Sequence, residues 1–411
     1  MKTNTTGRSA LLALLAAGLG ASACAPASSD EAASEGSADI TAASSPKFIE
    51  RKGSRPDEFI VVLASSQLAQ TRIPSLAARY NAQVFQTYET VLSGFAARMT
   101  EADARQLAQD PAVKYVQRNG QKHTSEVQPN ATWGIDRVDQ VSLPLDKQYA
   151  YTLTGRGVNA VVIDTGVDRA HPAFGGRVAA GFNALSTGAV DDVTDNNGHG
   201  THVAGTIASN TWGLAKQATI IPVRVCDASG NCNDADIVKA VDWVTKNVAK
   251  PAVVNMSLGG PVDGTTDVLE AAMRASIASG ITYVVAAGND SADACSYSPS
   301  RIAETITTGA TSSNDRRSYF SNYGTCVDVF APGSSITSAR RNSTGSTSMS
   351  GTSMASPHVA GAVALFLEGT PAATPAEMAD IVRRNATPDK VGSPGSGSPN
   401  FLLHVGDPIA Q

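Results

Sequence analysis

The sequence predicts an α/β protein: a doubly wound, mostly parallel sheet over residues 126–411, preceded by a small ferredoxin-like α+β unit over 47–125. Three observations carry this. From about Trp133 onward, apolar runs of strand length alternate with helix-length, Ala-rich segments, the order expected of a parallel sheet with crossover helices. Those runs are apolar at successive positions rather than at every second one, as strands covered on both faces are. Ahead of them, residues 59–118 read as strand, helix, hairpin, helix and strand, a unit with its own small core.

The chain opens with Lys2 and Arg8, an apolar run from Ala10 to Leu19 and the small-residue site Ala21-Ser22-Ala23, which together read as an export signal over 1–23. The run is too short for a membrane span. Cys24 offers an alternative, lipidation after removal of the leader, although Ala21 stands where such signals usually carry a larger aliphatic residue. Residues 24–46, rich in Ala, Ser, Asp and Glu, read as a solvated linker. In the small unit, "FIVVL" is an apolar strand, "SLAARYNA" a helix, and "AQVFQTYETVLSGFAARM" two paired strands. Thr100 caps the next helix, with Asp103 three residues on; Leu107 and Ala108 face inward, and "VKYVQ" closes the unit as a strand. The polar stretch "NGQKHTSEVQPN" follows. Then "GVNAVVID", "ATIIPVRV", "PAVVNMSL", "ITYVVAA" and "ETITTGA" give the buried strands of the large sheet.

Hydrophobic residues make up 42% and charged residues 17% of the 411, so the chain has enough apolar surface to fold around cores. The net charge of -5 is spread without a basic run, which argues against nucleic acid, and no late apolar stretch is long enough to span a bilayer. Export places the other cysteines in an oxidising compartment, where Cys226, Cys232, Cys295 and Cys326 form an even set for disulfides. Buried free thiols are the alternative. Cys226 and Cys232 flank a Gly-containing turn that a local bridge would close.

Three segments place chemistry at the edge of such a sheet. Asp164 ends the strand "AVVID" at the carboxyl edge, where open α/β folds bind ligands. His199 lies in "NNGHGTHVAGTIASN", at a helix start between Gly198 and Gly200. A zinc pair with His202 is disfavoured, because a zinc-protease helix places Glu beside the first His and the second His four residues on, so His202 reads as structural. Ser353 follows Gly351 and Thr352 at the start of a helix whose Pro357 is expected in the first turn. Each has a plainer reading: a turn Asp, a packed His, an N-cap Ser. Taken together they supply acyl transfer, since a Ser hydroxyl needs a His to take its proton and a carboxylate to hold the His tautomer. The Asp, His, Ser order and the sequence "GTSMA" differ from the order and Gly-x-Ser-x-Gly elbow of α/β-hydrolases.

The segments "VIDTGVD", "NGHGTHVAGT" and "GTSMASPHVAG" resemble the signatures of the subtilisin-like serine proteases. "AAGNDSADACSYSP", "SYFSNYGTCVDVFAPG" and "GSGSPNFLL" narrow the resemblance to the aqualysin-type members of the proteinase K branch, over nearly all of 126–405. Residues 47–125 resemble the inhibitory propeptide of the same family. The resemblance implies a secreted, self-processed endopeptidase, monomeric, acting on proteins and peptides and inhibited by its own propeptide, with a membrane attachment only if Cys24 is lipidated. It assigns Asp164 to orienting the imidazole, His199 to general base and acid, Ser353 to nucleophile, and Asn289, otherwise a turn residue after Gly288, to the oxyanion. Substrate would lie between Ser257-Leu258-Gly259 and Ser229-Gly230-Asn231, with Ala286, Ala287 and Gly288 walling an open S1 pocket for apolar or aromatic P1 residues. Where that branch carries an aromatic beside the S4 site, this chain has Asp234. Cys295 would pair with Cys326, leaving Cys226 for Cys232. A structural Ca²⁺ would be held by Asp328 and the carbonyls of Ala303 and Thr305. No catalytic cofactor is implied.

Overall fold

The computed structural model describes residues 47–50, 54–65, 69–120, 125–264 and 267–406. The expected leader 1–23, Cys24 and the linker 24–46 lie outside the described residues. Among those described, no helix is long and apolar enough to cross a membrane.

The first unit is a five-stranded sheet in the order β1 (Phe48–Ile49), β5 (Val113–Gly120), β2 (Ser54–Leu63), β4 (Gly94–Arg98), β3 (Gln83–Tyr88). Helices α1 (Ala69–Arg79) and α2 (Glu101–Ala108) supply Ile73, Leu76, Ala104, Leu107 and Ala108 to a core with Phe59, Val61, Phe95 and Val116. Thr100 caps α2 by accepting from the Asp103 amide, 3.1 Å away. Helix α1 starts ahead of the segment expected from its periodicity, and the two-residue β1 is too short to leave a pattern in sequence.

The second unit is built on a nine-stranded sheet. Strands β6 (Glu126–Pro129) and β7 (Gln148–Tyr151) pair separately, with α3 (Trp133–Val138) between them. Then come β8 (Asn159–Asp164), β9 (Phe182–Asn183), α4 (His199–Ala208), β10 (Thr219–Arg224), α5 (Asp234–Asn247), β11 (Ala252–Met256), β12 (Gly260–Pro261), α6 (Val268–Ala278), β13 (Thr282–Ala286) and β14 (Tyr297–Ser298). The chain continues through β15 (Ile306–Thr311), β16 (Val329–Pro332), β17 (Ile336–Ala339), β18 (Ser346–Met349), α7 (Thr352–Gly369), α8 (Pro375–Asn385), β19 (Thr387–Pro388) and β20 (Phe401–Leu402). The main sheet runs β19-β20-β16-β15-β13-β11-β8-β10-β9, parallel except for β19 with β20.

Strand periodicity explains the two layers of helices. On β8, Ala160 and Val162 face a core shared with Val203 and Ile207 of α4 and Val359 and Val363 of α7. Val161 and Ile163 face the opposite core, with Ile237 and Val241 of α5 and Leu269 and Met273 of α6. Each aliphatic side chain fully buried this way is worth about 1.5–3 kcal/mol. Both faces are covered, and the candidate residues lie at the carboxyl end of β8 and in the segment that follows β11.

One expectation fails. Pro357 is not in the first turn of α7, which begins at Thr352; it lies in the second. A proline there has no N–H for the carbonyl four residues back, that of Ser353. That carbonyl instead accepts the Ser257 hydroxyl at 2.8 Å, so the missing rung is filled from the end of β11.

Candidate active site

Asp164 is 1% exposed at the last position of β8, and its Oδ1 accepts the amide of Thr165 at 2.7 Å. His199 is the first residue of α4, and its Nδ1 lies 2.8 Å from Asp164 Oδ1 and 3.0 Å from Oδ2. A carboxylate only accepts, so Nδ1 carries the proton and Nε2 is left with a free lone pair. Burial of the imidazole favours its neutral form, but the Asp164 charge and hydrogen bond outweigh this and raise its pKa above the ordinary value. The approach depends on Gly200: a β-carbon there would come within 2.1 Å of the Gly166 carbonyl and 3.1 Å of Asp164 Oδ1.

Ser353 occupies the second position of α7, where amides at the helix start lack intrahelical partners. Its hydroxyl donates to the Ser257 carbonyl at 3.1 Å, not to His199. Asn289 follows β13 and turns its Oδ1 to the amide and hydroxyl of Thr352, at 2.8 and 3.0 Å. Its Nδ2 therefore points the other way. A point one bond out from Gly351 Cα, where a β-carbon would sit, is 3.6 Å from the Ser353 amide nitrogen, 3.7 Å from Asn289 Oδ1 and 3.8 Å from Asn289 Nδ2. The Ser353 amide and the Asn289 side chain thus lie close together at Gly351, and both residues line one cavity.

Two cavities meet at Ser257, Leu258 and Gly259. One, of about 310 Å³, is walled by Ala286, Ala287 and Gly288 and reaches Asn289 and Ser353, with Asp290 and Tyr297 among its polar lining. The other, of about 670 Å³, runs past Asp164 and His199 to Gly230, Asn231, Asp234 and Asp267. The loop carrying Gly230 is closed by the Cys226–Cys232 disulfide, and Cys295 is bonded to Cys326. The sites named from sequence at Gly230, Ser257, Leu258, Gly259, Ala287 and Gly288 therefore line the two connected cavities.

His202 is fully buried, bonds Ile336 O through Nε2 at 2.9 Å, and burial pushes its pKa down to about 4. It lies away from the cleft as a neutral core residue. Among the described residues, no group of three or more His, Cys, Asp or Glu side chains is arranged to hold a metal ion. Asp328 accepts the Thr307 amide at 2.7 Å through Oδ2. Its carboxyl is crowded by protein yet open to solvent at one side, and the loss of water pushes its pKa up to about 6. Ala303 and Thr305 precede β15 in the adjoining turn. A second oxygen-rich place went unread in the sequence. Gln140 bridges Asp136 and Asp146 at 2.8 Å each, and the neighbouring Asp139 has a buried Oδ1 without a partner and a pKa pushed by burial to about 7.

Other polar residues of the site carried no sequence signal of their own. Thr352 is buried and links Gly288 to Asn289, accepting the Gly288 amide at 3.1 Å. Asn322, also buried, accepts the amides of Asp290 and Ala292 and donates to Ala287 O, bracketing Asn289 on both sides. Asp195 sits ahead of α4 with its carboxylate turned inward.

Comparison with known proteins gives the same picture for both units. Residues 155–403 match the model of the subtilase family, and residues 51–125 match that of the peptidase inhibitor I9. An extracellular serine proteinase of Thermus sp. (strain Rt41A) is 49% identical over 325 residues, which are 79% of this chain and 78% of that protein. The alkaline serine exoprotease A of Vibrio alginolyticus is 42% identical over 365 residues, 85% of this chain and 67% of that one. The crystal structure of a cold adapted subtilisin-like serine proteinase superposes with a TM-score of 0.65 at 45% identity, over 69% of this chain and 100% of that chain.

Proposed function

The chain belongs to the subtilase family of serine proteinases, with a peptidase inhibitor I9 segment ahead of the protease unit, and on that footing we propose that it is a secreted endopeptidase using Asp164, His199 and Ser353 as its triad. The observation that carries the triad is the 2.8 Å contact of His199 Nδ1 with buried Asp164, in a cleft whose adjoining wall bears Ser353. In the reaction the Ser353 hydroxyl rotates from Ser257 O towards His199 Nε2 and attacks the peptide carbonyl as its proton passes to the imidazole. The Asp164 carboxylate stabilises the imidazolium, and the Ser353 amide with Asn289 Nδ2 takes the charge on the tetrahedral oxygen. His199 then protonates the departing amine, and water, activated by the same imidazole, releases the acyl group from Ser353. The apolar surfaces of Leu258, Ala286 and Ala287 favour an apolar or aromatic P1 side chain.

The 47–125 unit acts as an intramolecular inhibitor, and cleavage near Ser125 would leave 126–411 as the mature enzyme, beginning with strand β6. A parallel sheet forms slowly because its contacts are distant in sequence, which gives the same unit a use as a folding aid. The leader over 1–23 and the extracellular relative named above support export; lipidation of Cys24 would instead hold the enzyme at the cell envelope. Asp328 with the carbonyls of Ala303 and Thr305 suits a hard cation, and a carboxylate whose pKa is raised for want of water gains from one. Ca²⁺ there would tie the turn before β15 to the start of β16; chelation that leaves thermal inactivation unchanged counts against it.

One experiment tests the central reading. The parent and a Ser353→Ala precursor are expressed in a host without other proteases. The parent should digest casein and separate into two fragments near Ser125; the variant should do neither. Casein hydrolysis by the variant overturns the triad, and processing of the variant at the parent's rate and position overturns self-maturation.

A further inference from the structure

We propose that Asp195 is a positioning residue that fixes the end of β8, bearing Asp164, to the start of α4, bearing His199. The inference rests on the triad reading above. Asp195 is 2% exposed and lines neither of the two cavities that meet at Ser257, Leu258 and Gly259. Its two oxygens take five hydrogen bonds: Oδ1 from the Thr165 hydroxyl (2.9 Å) and the amides of Asn197 (2.9 Å) and Gly198 (2.7 Å), Oδ2 from the amide (2.9 Å) and hydroxyl (2.6 Å) of Thr201. These donors come from both elements. Thr165 follows Asp164 directly, while Gly198 and Thr201 flank His199.

The two hydroxyls extend the clamp. Each gives its proton to Asp195, so each oxygen is left to accept. Thr165 Oγ1 takes the Gly200 amide at 3.0 Å, and Thr201 Oγ1 takes the Asp168 amide at 2.9 Å. Strand end and helix start are therefore laced in both directions, with a carboxylate as the only group able to accept from every donor at once. An amide in its place would turn an NH2 towards at least one of those donors. The buried charge also sits at the positive end of a ten-residue helix, which favours it, and it adds to the negative field that raises the His199 pKa. Asp164 from β8 and His202 from α4 also act on or with His199, and the Arg341 side chain lies over the neighbouring Gly198.

The test compares the parent with Asp195→Asn and Thr165→Val, each normalised by active-site titration with a serine-directed sulfonyl fluoride. For Asp195→Asn, kcat should fall about 10- to 100-fold with little change in KM, because a reacting group moved by a fraction of an ångström loses alignment and not substrate contact. The acid limb of its kcat/KM profile should also move to lower pH, since a negative charge near His199 is gone; general loss of packing would not move that limb. Thr165→Val keeps the charge and breaks one lace, so kcat should fall with the limb in place. A per-site kcat within about twofold of the parent in Asp195→Asn, with an unmoved limb, overturns the proposal. If Asp195→Asn does not fold, an unchanged kcat in Thr165→Val overturns it. Casein hydrolysis by Ser353→Ala would instead remove the triad reading beneath it.

Discussion

Arg137 offers the severest test of how the protease unit is held together. It is fully buried in α3, and its Nε and Nη2 reach Asp315 Oδ1 and Oδ2 at 2.7 and 3.0 Å, a fork-to-fork pair joining positions 178 residues apart. Nη1 donates to Gln140 O. Replacing Arg137 by Met keeps most of the volume but strands the Asp315 carboxylate, itself only 8% exposed, without its cation. Breaking one side of a buried pair costs about 3–5 kcal/mol. For a domain of this size about 2–4 °C accompany each kcal/mol, so the unfolding midpoint should fall by roughly 10 °C. Circular dichroism melts at a fixed scan rate, all in a Ser353→Ala background to prevent self-digestion, give the comparison. Arg137→Met with Asp315→Asn should recover at least half the loss, because the stranded charge is gone. A drop below about 2 °C in the single variant would refute the reasoning and mark the pair as energetically idle.

Asn289→Ala, which removes the donor proposed for the oxyanion, should lower kcat about 10²–10³-fold with KM nearly unchanged, the size measured when such a donor is removed from a subtilisin; steady-state kinetics on a chromogenic peptide decide it. Burial holds His202 and His358 at pKa values of about 4, against 6.5 unfolded, so the unfolded chain takes up protons first and stability falls as pH drops from about 6.5 towards 4. Each should cost about 2 kcal/mol at pH 5, and His202→Gln should show a shallower fall of denaturation midpoint over that interval; an identical slope contradicts it. The Cys226–Cys232 bridge spans 6 residues and Cys295–Cys326 spans 31, so loop-closure entropy predicts losses of about 2 and about 4 kcal/mol for the paired Ser variants, an order that melting would reverse if local packing dominated.

Parallel strands covered on both faces left largely apolar runs, and for that reason β8, β10, β11 and β13 were legible in sequence; β15, also legible, has Thr at three of its six positions and owes its burial to small side chains. β16 was not, because it has four residues and ends in a proline. The residues at the cleft were legible because glycines and small side chains crowd around Asp164, His199 and Ser353, a local requirement that leaves a local trace. Asp195, Asn322 and Arg137 left none. Asn322 and Arg137 reach Ala287 and Asp315 across the fold, and Asp195, though four of its five donors are close by at Asn197, Gly198 and Thr201, ties α4 to β8 only through distant Thr165; each looks in sequence like any turn residue. Pro357 was misplaced by one turn for a related reason: what makes it tolerable is the Ser257 hydroxyl, ninety-six positions from the Ser353 carbonyl it satisfies.

That borrowed rung also decides how the region comes apart. Ser257 donates its hydroxyl to Ser353 O and receives the Ser353 hydroxyl on its own carbonyl, so the end of β11 and the first turn of α7 hold each other at two points. Neither can open alone without exposing a buried polar atom of the other. In native-state hydrogen exchange the amides of 255–258 and of the first helical turn should therefore open as one cooperative unit, with a common free energy that any ligand lying against Ser257 raises for both.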